Sequence, residues 1–292
     1  MLRRAFLGGS LLTIATPAIV SAQGVCKRRS HHLWRRVALS CLALSFGAIG
    51  ADGARALVGG KKGDEKTFPA TVRFYGSETC TATIVGPRTV MSAAHCFEPG
   101  GKKPVVELLD AKKHELTCQR HPDYKAKGRC EKHGDKACAA DIVLCSSSVD
   151  LTAAGLKYES VLTDRSKITL NNEGVLLGFG CTKDGVIEFI NLHVGTSTIK
   201  RLSKDDPKQA FLDQFILMIG GAHSCLGDSG AGALDSVDEK QRFVIGVISA
   251  GSTSSTQLVP TSDKRIADFL KNWGDSAKSP ICGVHKNVKG CR

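Results

Sequence analysis

The apolar run from Val37 to Gly50 lacks the length of a comfortable membrane span: it has 14 residues, whereas a spanning helix needs about 20. Internal repeats and low-complexity tracts are also missing, so nothing points to a solenoid or a fibrous array. The formal net charge is +12, yet there is no nucleic-acid motif set on a basic stripe. Residues 1–56 hold +7 of that charge, from eight Lys or Arg against one Asp, which leaves +5 for the rest. A mildly basic soluble surface accounts for the remainder, and no nucleic-acid partner is expected.

Cysteine and glycine, by contrast, are plentiful, at 12 and 31 among 292 residues. Cys26 and Cys41 lie near the N-terminus. The other ten are Cys80, Cys96, Cys118, Cys130, Cys138, Cys145, Cys181, Cys225, Cys282 and Cys291. An even number in an exported chain reads as a set of disulfides in an oxidising compartment. The length left after a leader suits one large domain or two small ones.

The first 56 residues read as leader. Arg3 and Arg4 precede an apolar run that ends in Val20-Ser21-Ala22, a small-residue site of the signal-peptidase type. The Arg-Arg-x-Phe-Leu start also resembles a twin-arginine export signal. A second leader then spans 27–56: a basic segment from Lys27 to Arg36, the apolar run from Val37, and Ala54-Arg55-Ala56. Either the second is a propeptide, or the true start lies near residue 33 and the first is a misassigned extension. The latter is preferred. Processing then leaves no stable membrane span, and the product is secreted or periplasmic.

From residue 57 onward, short apolar runs alternate with turn residues. Thr71–Phe74, Thr81–Val85, Gly174–Gly178 and Phe243–Ile248 read as strands of an all-β sandwich or barrel. One helix is evident near the end. Ser262 or Asp263 can cap it, and Ile266, Phe269, Leu270 and Trp273 recur at helical spacing. The basic stretch Asp123 to Arg129 reads as an exposed loop, and His114, His121, His133, His193 and His285 read as surface or structural residues.

Chemistry concentrates in Cys225-Leu226-Gly227-Asp228-Ser229-Gly230. A serine hydroxyl becomes nucleophilic only when a base takes its proton. It also needs N–H groups aimed at the oxyanion that forms. A glycine two residues before the serine permits a turn in which the N–H groups of Gly227 and Ser229 point the same way. A surface turn is the plain alternative for such a motif. Upstream, however, Ser92-Ala93-Ala94-His95-Cys96 supplies a candidate base. Asp141-Ile142-Val143-Leu144 supplies a carboxylate at the head of an apolar run, where it needs a partner such as an imidazole N–H.

The order His95, Asp141, Ser229 is that of chymotrypsin-type enzymes. It excludes an α/β-hydrolase, as does the absence of a Gly-x-Ser-x-Gly elbow. With Leu57-Val58-Gly59-Gly60, Gly178-Phe179-Gly180 and Ser249-Ala250-Gly251 the sequence resembles the trypsin/chymotrypsin-like serine peptidase family over residues 57–275. The tail 276–292 follows that domain. The resemblance implies two six-stranded antiparallel β-barrels, an active site in the cleft between them and a C-terminal helix.

It further implies a secreted endopeptidase with catalytic His95, Asp141 and Ser229 and an oxyanion hole from Gly227 and Ser229. His223 and Ser224 fall at the primary pocket, and Ser249, Ala250 and Gly251 at the substrate strand. Leu57 becomes a free N-terminus that pairs with Asp228. Cleavage after Arg55 would leave one residue too many, whereas cleavage after Ala56 gives the right register. A protein or peptide substrate and protein inhibitors are the implied partners, with a monomer and no cofactor or metal. The alternative is a secreted, non-catalytic binding protein on the same fold.

Several positions depart from the family pattern. Phe179 and Ala250 stand where tryptophan is common, and Ala231-Gly232 replaces Gly-Pro. His223 offers no fixed negative charge to a Lys or Arg side chain. The resemblance implies pairing of Cys80 with Cys96, and Cys282 and Cys291 close a local loop. The usual partner of Cys225 is missing, and in the layout that the resemblance implies Cys181, directly after Gly178-Phe179-Gly180, is the nearest candidate. Cys118, Cys130, Cys138 and Cys145 allow three pairings. Cys118-x2-His121 and Cys130-x2-His133 also have the spacing of zinc ligands, though an oxidising compartment favours disulfides.

Overall fold

The computed structural model describes residues 57–125, 139–151, 156–181, 189–202, 214–235 and 242–292. Both leader segments, with Cys26 and Cys41, lie outside these residues, as do Cys130, Cys138 and His133.

After a two-residue strand β1 (Lys61–Lys62), six strands form the first barrel. They are β2 (Thr71–Tyr75), β3 (Thr79–Gly86), β4 (Thr89–Ser92), β5 (Val105–Glu107), β6 (Lys113–Arg120) and β7 (Val143–Ser147). Their order is β2-β3-β4-β7-β6-β5, and β5 pairs back onto β2 to close the ring. Closure leaves no unpaired edge, which is how an all-β protein avoids edge-to-edge association. Val72, Phe74, Ile84, Val90 and Leu144 fill its interior. Full burial of each such side chain contributes about 1.5–3 kcal/mol.

The second barrel begins after β8 (Ser160–Val161), which lies parallel to a later strand. It is built from β9 (Glu173–Gly178), β10 (His193–Arg201), β11 (Ile216–Gly221), β12 (Gly232–Leu234), β13 (Phe243–Ser252) and β14 (Ser255–Pro260). The order β9-β10-β11-β14-β13-β12 closes where Leu234 of β12 meets Val175 of β9. Leu176, Ile199, Met218, Ile245, Ile248 and Leu258 form its core. The expected strands all form, each longer than its apolar run, β2 and β9 by a single residue and β3 and β13 by several, because main-chain pairing continues into the flanking turn residues.

Helix α1 (Lys264–Ser276) starts at Asp263, whose carboxylate accepts from the Arg265 N–H at 2.8 Å. Its buried face is Ile266, Phe269, Leu270 and Trp273. That face returns the chain to the first barrel, with the His121 ring edge-on to Phe269 at 4.9 Å.

Four disulfides join described residues. Cys118–Cys145 links directly paired positions of β6 and β7. Cys118 is therefore no thiolate, and the zinc alternative at Cys118 and His121 falls. The His121 Nδ1 instead accepts from the Asp123 N–H at 3.1 Å. The loop reading of Asp123 to Arg129 also needs correction at Tyr124. Its ring is buried beneath the Arg120 guanidinium at 5.5 Å. Residues 126–129 of that stretch lie outside the described residues.

Candidate active site

His95 sits in a single 3-10 turn, Ala94–Cys96, at the end of β4. The Cys80–Cys96 disulfide fastens this turn to β3. Asp141 lies two residues ahead of β7, and its side chain is 1% exposed. Three donors meet its two oxygens. The His95 backbone N–H donates to Oδ1 at 2.8 Å, the His95 Nδ1 lies 2.7 Å from Oδ2, and the Ser249 hydroxyl donates to Oδ2 at 2.6 Å. An ionised carboxylate can only accept, so Nδ1 carries the proton and Nε2 is left as the basic nitrogen.

Ser229 is held by both barrels. Its carbonyl accepts from the Thr81 N–H of β3 at 2.9 Å, while the next residue, Gly230, donates to the Ile248 carbonyl of β13 at 2.8 Å. The Cys96 Sγ lies 3.8 Å from the Ser229 carbonyl, which sets the Ser229 turn beside the His95 turn. Gly227 and Gly230 have φ of 95° and 89°, a region that favours glycine. A Cβ on Gly230 would also collide with the Ser92 hydroxyl and the Thr81 carbonyl.

A family model described as "Trypsin" matches residues 57–273. This protein is a member of the trypsin family. Among curated proteins it is similar to submandibular glandular kallikrein-9 of Rattus norvegicus. The two are 26% identical over 218 residues, which cover 65% of this chain and 79% of the kallikrein. Trypsin V-A of the same species is 24% identical over 236 residues, covering 74% and 87% of the two chains.

The family's Gly178-Phe179-Gly180 run has a steric reason here. A Cβ on either glycine would run into the side chain of Asp228. That carboxylate is fully buried and accepts N–H bonds from Gly180 and Cys225, both at 2.8 Å, and from Leu57. Leu57 is itself fully buried, with a left-handed φ of 58°. Burial pushes the Asp228 carboxyl up to about 7, against the pull of the three N–H groups. In this continuous chain, where Leu57 offers only an amide, the folded state therefore holds the proton more tightly than the unfolded one. The contribution is fully present below the ordinary value of 3.8 and is lost as pH rises through about 7. Thermal unfolding of a precursor extending upstream of Leu57 should accordingly show a midpoint that falls over this window relative to its Asp228→Asn variant. A difference independent of pH would contradict this assignment.

The residues expected at the primary pocket also meet. The His223 N–H donates to the Val58 carbonyl at 3.0 Å, so the 57–60 segment backs His223. The Ser224 N–H donates to the Thr256 hydroxyl at 2.8 Å, and its own hydroxyl donates to the Ala250 carbonyl at 3.4 Å. Gly251 faces Ser224 closely: a Cβ there would stand 2.8 Å from the Ser224 carbonyl oxygen. Ala250 is exposed and supplies no aromatic wall. Cys181 and Cys225 are bonded to each other, tying the Ser229 turn to the chain just after β9. Cys282 and Cys291 are likewise bonded. Cys80, His95 and Cys96 cluster, yet both sulfurs belong to the disulfide and cannot ligate a metal as thiolates.

Sequence reading missed Thr81, Arg73 and Thr256. Thr81 follows Cys80, but nothing local marks its hydroxyl as special. Arg73 reads as an ordinary strand residue. Its guanidinium instead lies 4.2 Å over the buried Phe179 ring and donates to the Phe189 carbonyl at 2.8 Å and to the Ile190 carbonyl.

Proposed function

We propose that this protein is an exported serine endopeptidase whose chemistry is carried by His95, Asp141 and Ser229. The observation that carries the reading is the convergence of three donors on the buried Asp141 carboxylate. Such an arrangement fixes the imidazole tautomer and stabilises the imidazolium that forms during reaction. Ser229 Oγ attacks the scissile carbonyl, and the His95 Nε2 takes its proton and returns it to the leaving amine. The N–H groups of Gly227 and Ser229 receive the oxyanion. Water then resolves the acyl-enzyme by the same steps in reverse roles. The four described disulfides support an oxidising destination, in keeping with the leader sequence. Labelling of the mature protein by a fluorophosphonate tests the reading. An activated serine reacts, whereas a non-catalytic binding protein on this fold stays unlabelled.

The substrate is an extended peptide that pairs with the backbone at Ser249, Ala250 and Gly251 as an added strand. His223 and Ser224 line the primary pocket, with the buried Thr256 behind them. His223 offers no fixed negative charge to select a basic side chain. In a peptide-library digest, cleavage after Lys or Arg is expected to be no more frequent than after neutral residues. Strong enrichment of arginine at the cleaved position would refute this pocket assignment. The protein acts as a monomer on this reading, and protein inhibitors that present a strand to the same edge are its further partners.

Activation follows from Leu57. Its N–H already reaches the Asp228 carboxylate, and its backbone is left-handed in the uncut chain. A leucine there is strained by about 1 kcal/mol or more. Hydrolysis of the bond after Ala56 removes the atom that defines this φ, relieves the strain and provides an ammonium where a neutral amide stood. Processing by a signal peptidase at Ala54-Arg55-Ala56 is the proposed source of that end.

A further inference from the structure

We propose that Thr81 is a positioning residue for the oxyanion hole, acting through a buried hydroxyl that fixes the Gly227 carbonyl. The inference rests on the peptidase reading above and extends it to a residue outside the triad.

The Thr81 Oγ1 donates to the Gly227 carbonyl at 2.9 Å and accepts from the Phe179 N–H at 3.2 Å. A hydroxyl has one hydrogen. Because the Phe179 N–H takes a lone pair, that hydrogen is committed to Gly227. The side chain is fully buried, so water does not compete for it. The Thr81 backbone adds two bonds of its own. Its N–H donates to the Ser229 carbonyl at 2.9 Å, and its carbonyl accepts from the Ser92 hydroxyl at 2.9 Å. One residue of β3 thus links the nucleophile turn, the Gly178–Gly180 segment and the strand that leads to His95.

The consequence concerns peptide-plane orientation. The oxyanion N–H groups belong to the planes before Gly227 and before Ser229. Thr81 fixes the plane after Gly227, by its hydroxyl, and the plane after Ser229, by its N–H. Glycine resists rotation of its own flanking planes only weakly, so the aim of the Gly227 N–H depends on what holds its carbonyl. The paired position on β2 braces the other side. Arg73 lies opposite Thr81 in the β2–β3 register and holds the Phe189 and Ile190 carbonyls. Phe189 is thereby set against Gly227, with a ring carbon 3.2 Å from where a Cβ on that glycine would stand. Phe179, whose N–H the threonine accepts, carries the Arg73 guanidinium on its ring.

The test compares Thr81→Val, which keeps the shape without the hydroxyl, with Thr81→Ser, which keeps the hydroxyl. Turnover is expressed per site titrated with a fluorophosphonate. Removal of an oxyanion donor itself costs about 10²–10³ in kcat. Loss of the group that aims the donor should cost Thr81→Val at least about tenfold in kcat, with KM within about twofold, on the same scale. The affinity of a peptide boronate that mimics the tetrahedral state should fall in parallel. Thr81→Ser should restore kcat to near the parent. If Thr81→Val does not fold, Thr81→Ala takes its place under the same criteria. An unchanged kcat per titrated site overturns the proposal, even if the thermal midpoint drops, because the residue is then merely structural. A parent that is neither labelled nor active overturns the peptidase reading, and this proposal with it. An active parent with an indifferent Thr81→Val overturns this proposal alone.

Discussion

Ser229→Ala is expected to abolish peptide hydrolysis and fluorophosphonate labelling while leaving thermal unfolding close to the parent. The turn that carries Ser229 is held by main-chain bonds, from Thr81 to the Ser229 carbonyl and from Gly230 to Ile248, which the substitution leaves intact. His95→Ala should have an equal effect on turnover, since it removes the base that takes the serine proton. Asp141→Asn should lower turnover about 10⁴-fold, the loss known for the same exchange in serine proteases. The geometry here gives the reason. Three donors converge on Asp141, and an amide presents one acceptor and one donor. With the amide oxygen at the Oδ2 place, the NH2 group confronts the His95 backbone N–H. With the oxygen at the Oδ1 place, the NH2 group donates to Nδ1 and forces the proton onto Nε2. The first arrangement breaks the histidine turn and the second removes the base. Near-parental turnover of Ser229→Ala, measured after checking for contaminating protease, would overturn the choice of nucleophile.

The second large effect concerns the N-terminus. A form that begins at Leu57 is expected to be active, whereas forms beginning at Ala56 or at Gln23 should be nearly inactive. Asp228 is buried beyond the reach of solvent, and a chain cut before Leu57 would set an α-ammonium where the Leu57 N–H now donates to that carboxylate. Breaking a buried ion pair by removing one partner costs about 3–5 kcal/mol. That corresponds to roughly 10²–10⁴ in the population of the ordered site, at about 1.4 kcal/mol per tenfold. The pH response should invert on cleavage. In the uncut chain the Asp228 carboxyl sits at about 7 and favours the fold at low pH. Beside an ammonium it is depressed instead, so its contribution is present above the unfolded value and lost as pH falls. Two measurements decide the matter: Edman sequencing of the exported protein, and activity assays of the three defined forms. A stable, inactive exported form starting at Gln23 would refute processing by signal peptidase alone, and full activity of an Ala56-headed form would refute the ion pair.

Much of the candidate site was legible because the family's chemistry is written in short local runs. Gly227-Asp228-Ser229-Gly230 needs two glycines with positive φ and a carboxylate that faces inward, and the four residues announce this together. The helix was legible for a similar reason, since one cap and four apolar residues at helical spacing define it locally. The strands declared their positions by apolar content, but nothing in them gave the order in which they pair.

What remained hidden depends on register between distant strands. Cys118 and Cys145 were two of four cysteines with three pairings open. The β6–β7 register puts them directly opposite one another and decides the question. Ser249 reaches Asp141 across 108 residues of sequence, and Thr256 reaches Ser224 across 32. Thr81 and Arg73 both meet Phe179, one at its N–H and the other over its ring, only because β2 and β3 pair at those positions. The sequence by itself determined which residues can do chemistry, because nucleophile, base and tight turns are properties of residue type and near neighbours. Only the tertiary structure decided which hydroxyls and guanidinium groups hold those residues in place, because hydrogen bonds are short and directional while the groups that make them are far apart along the chain.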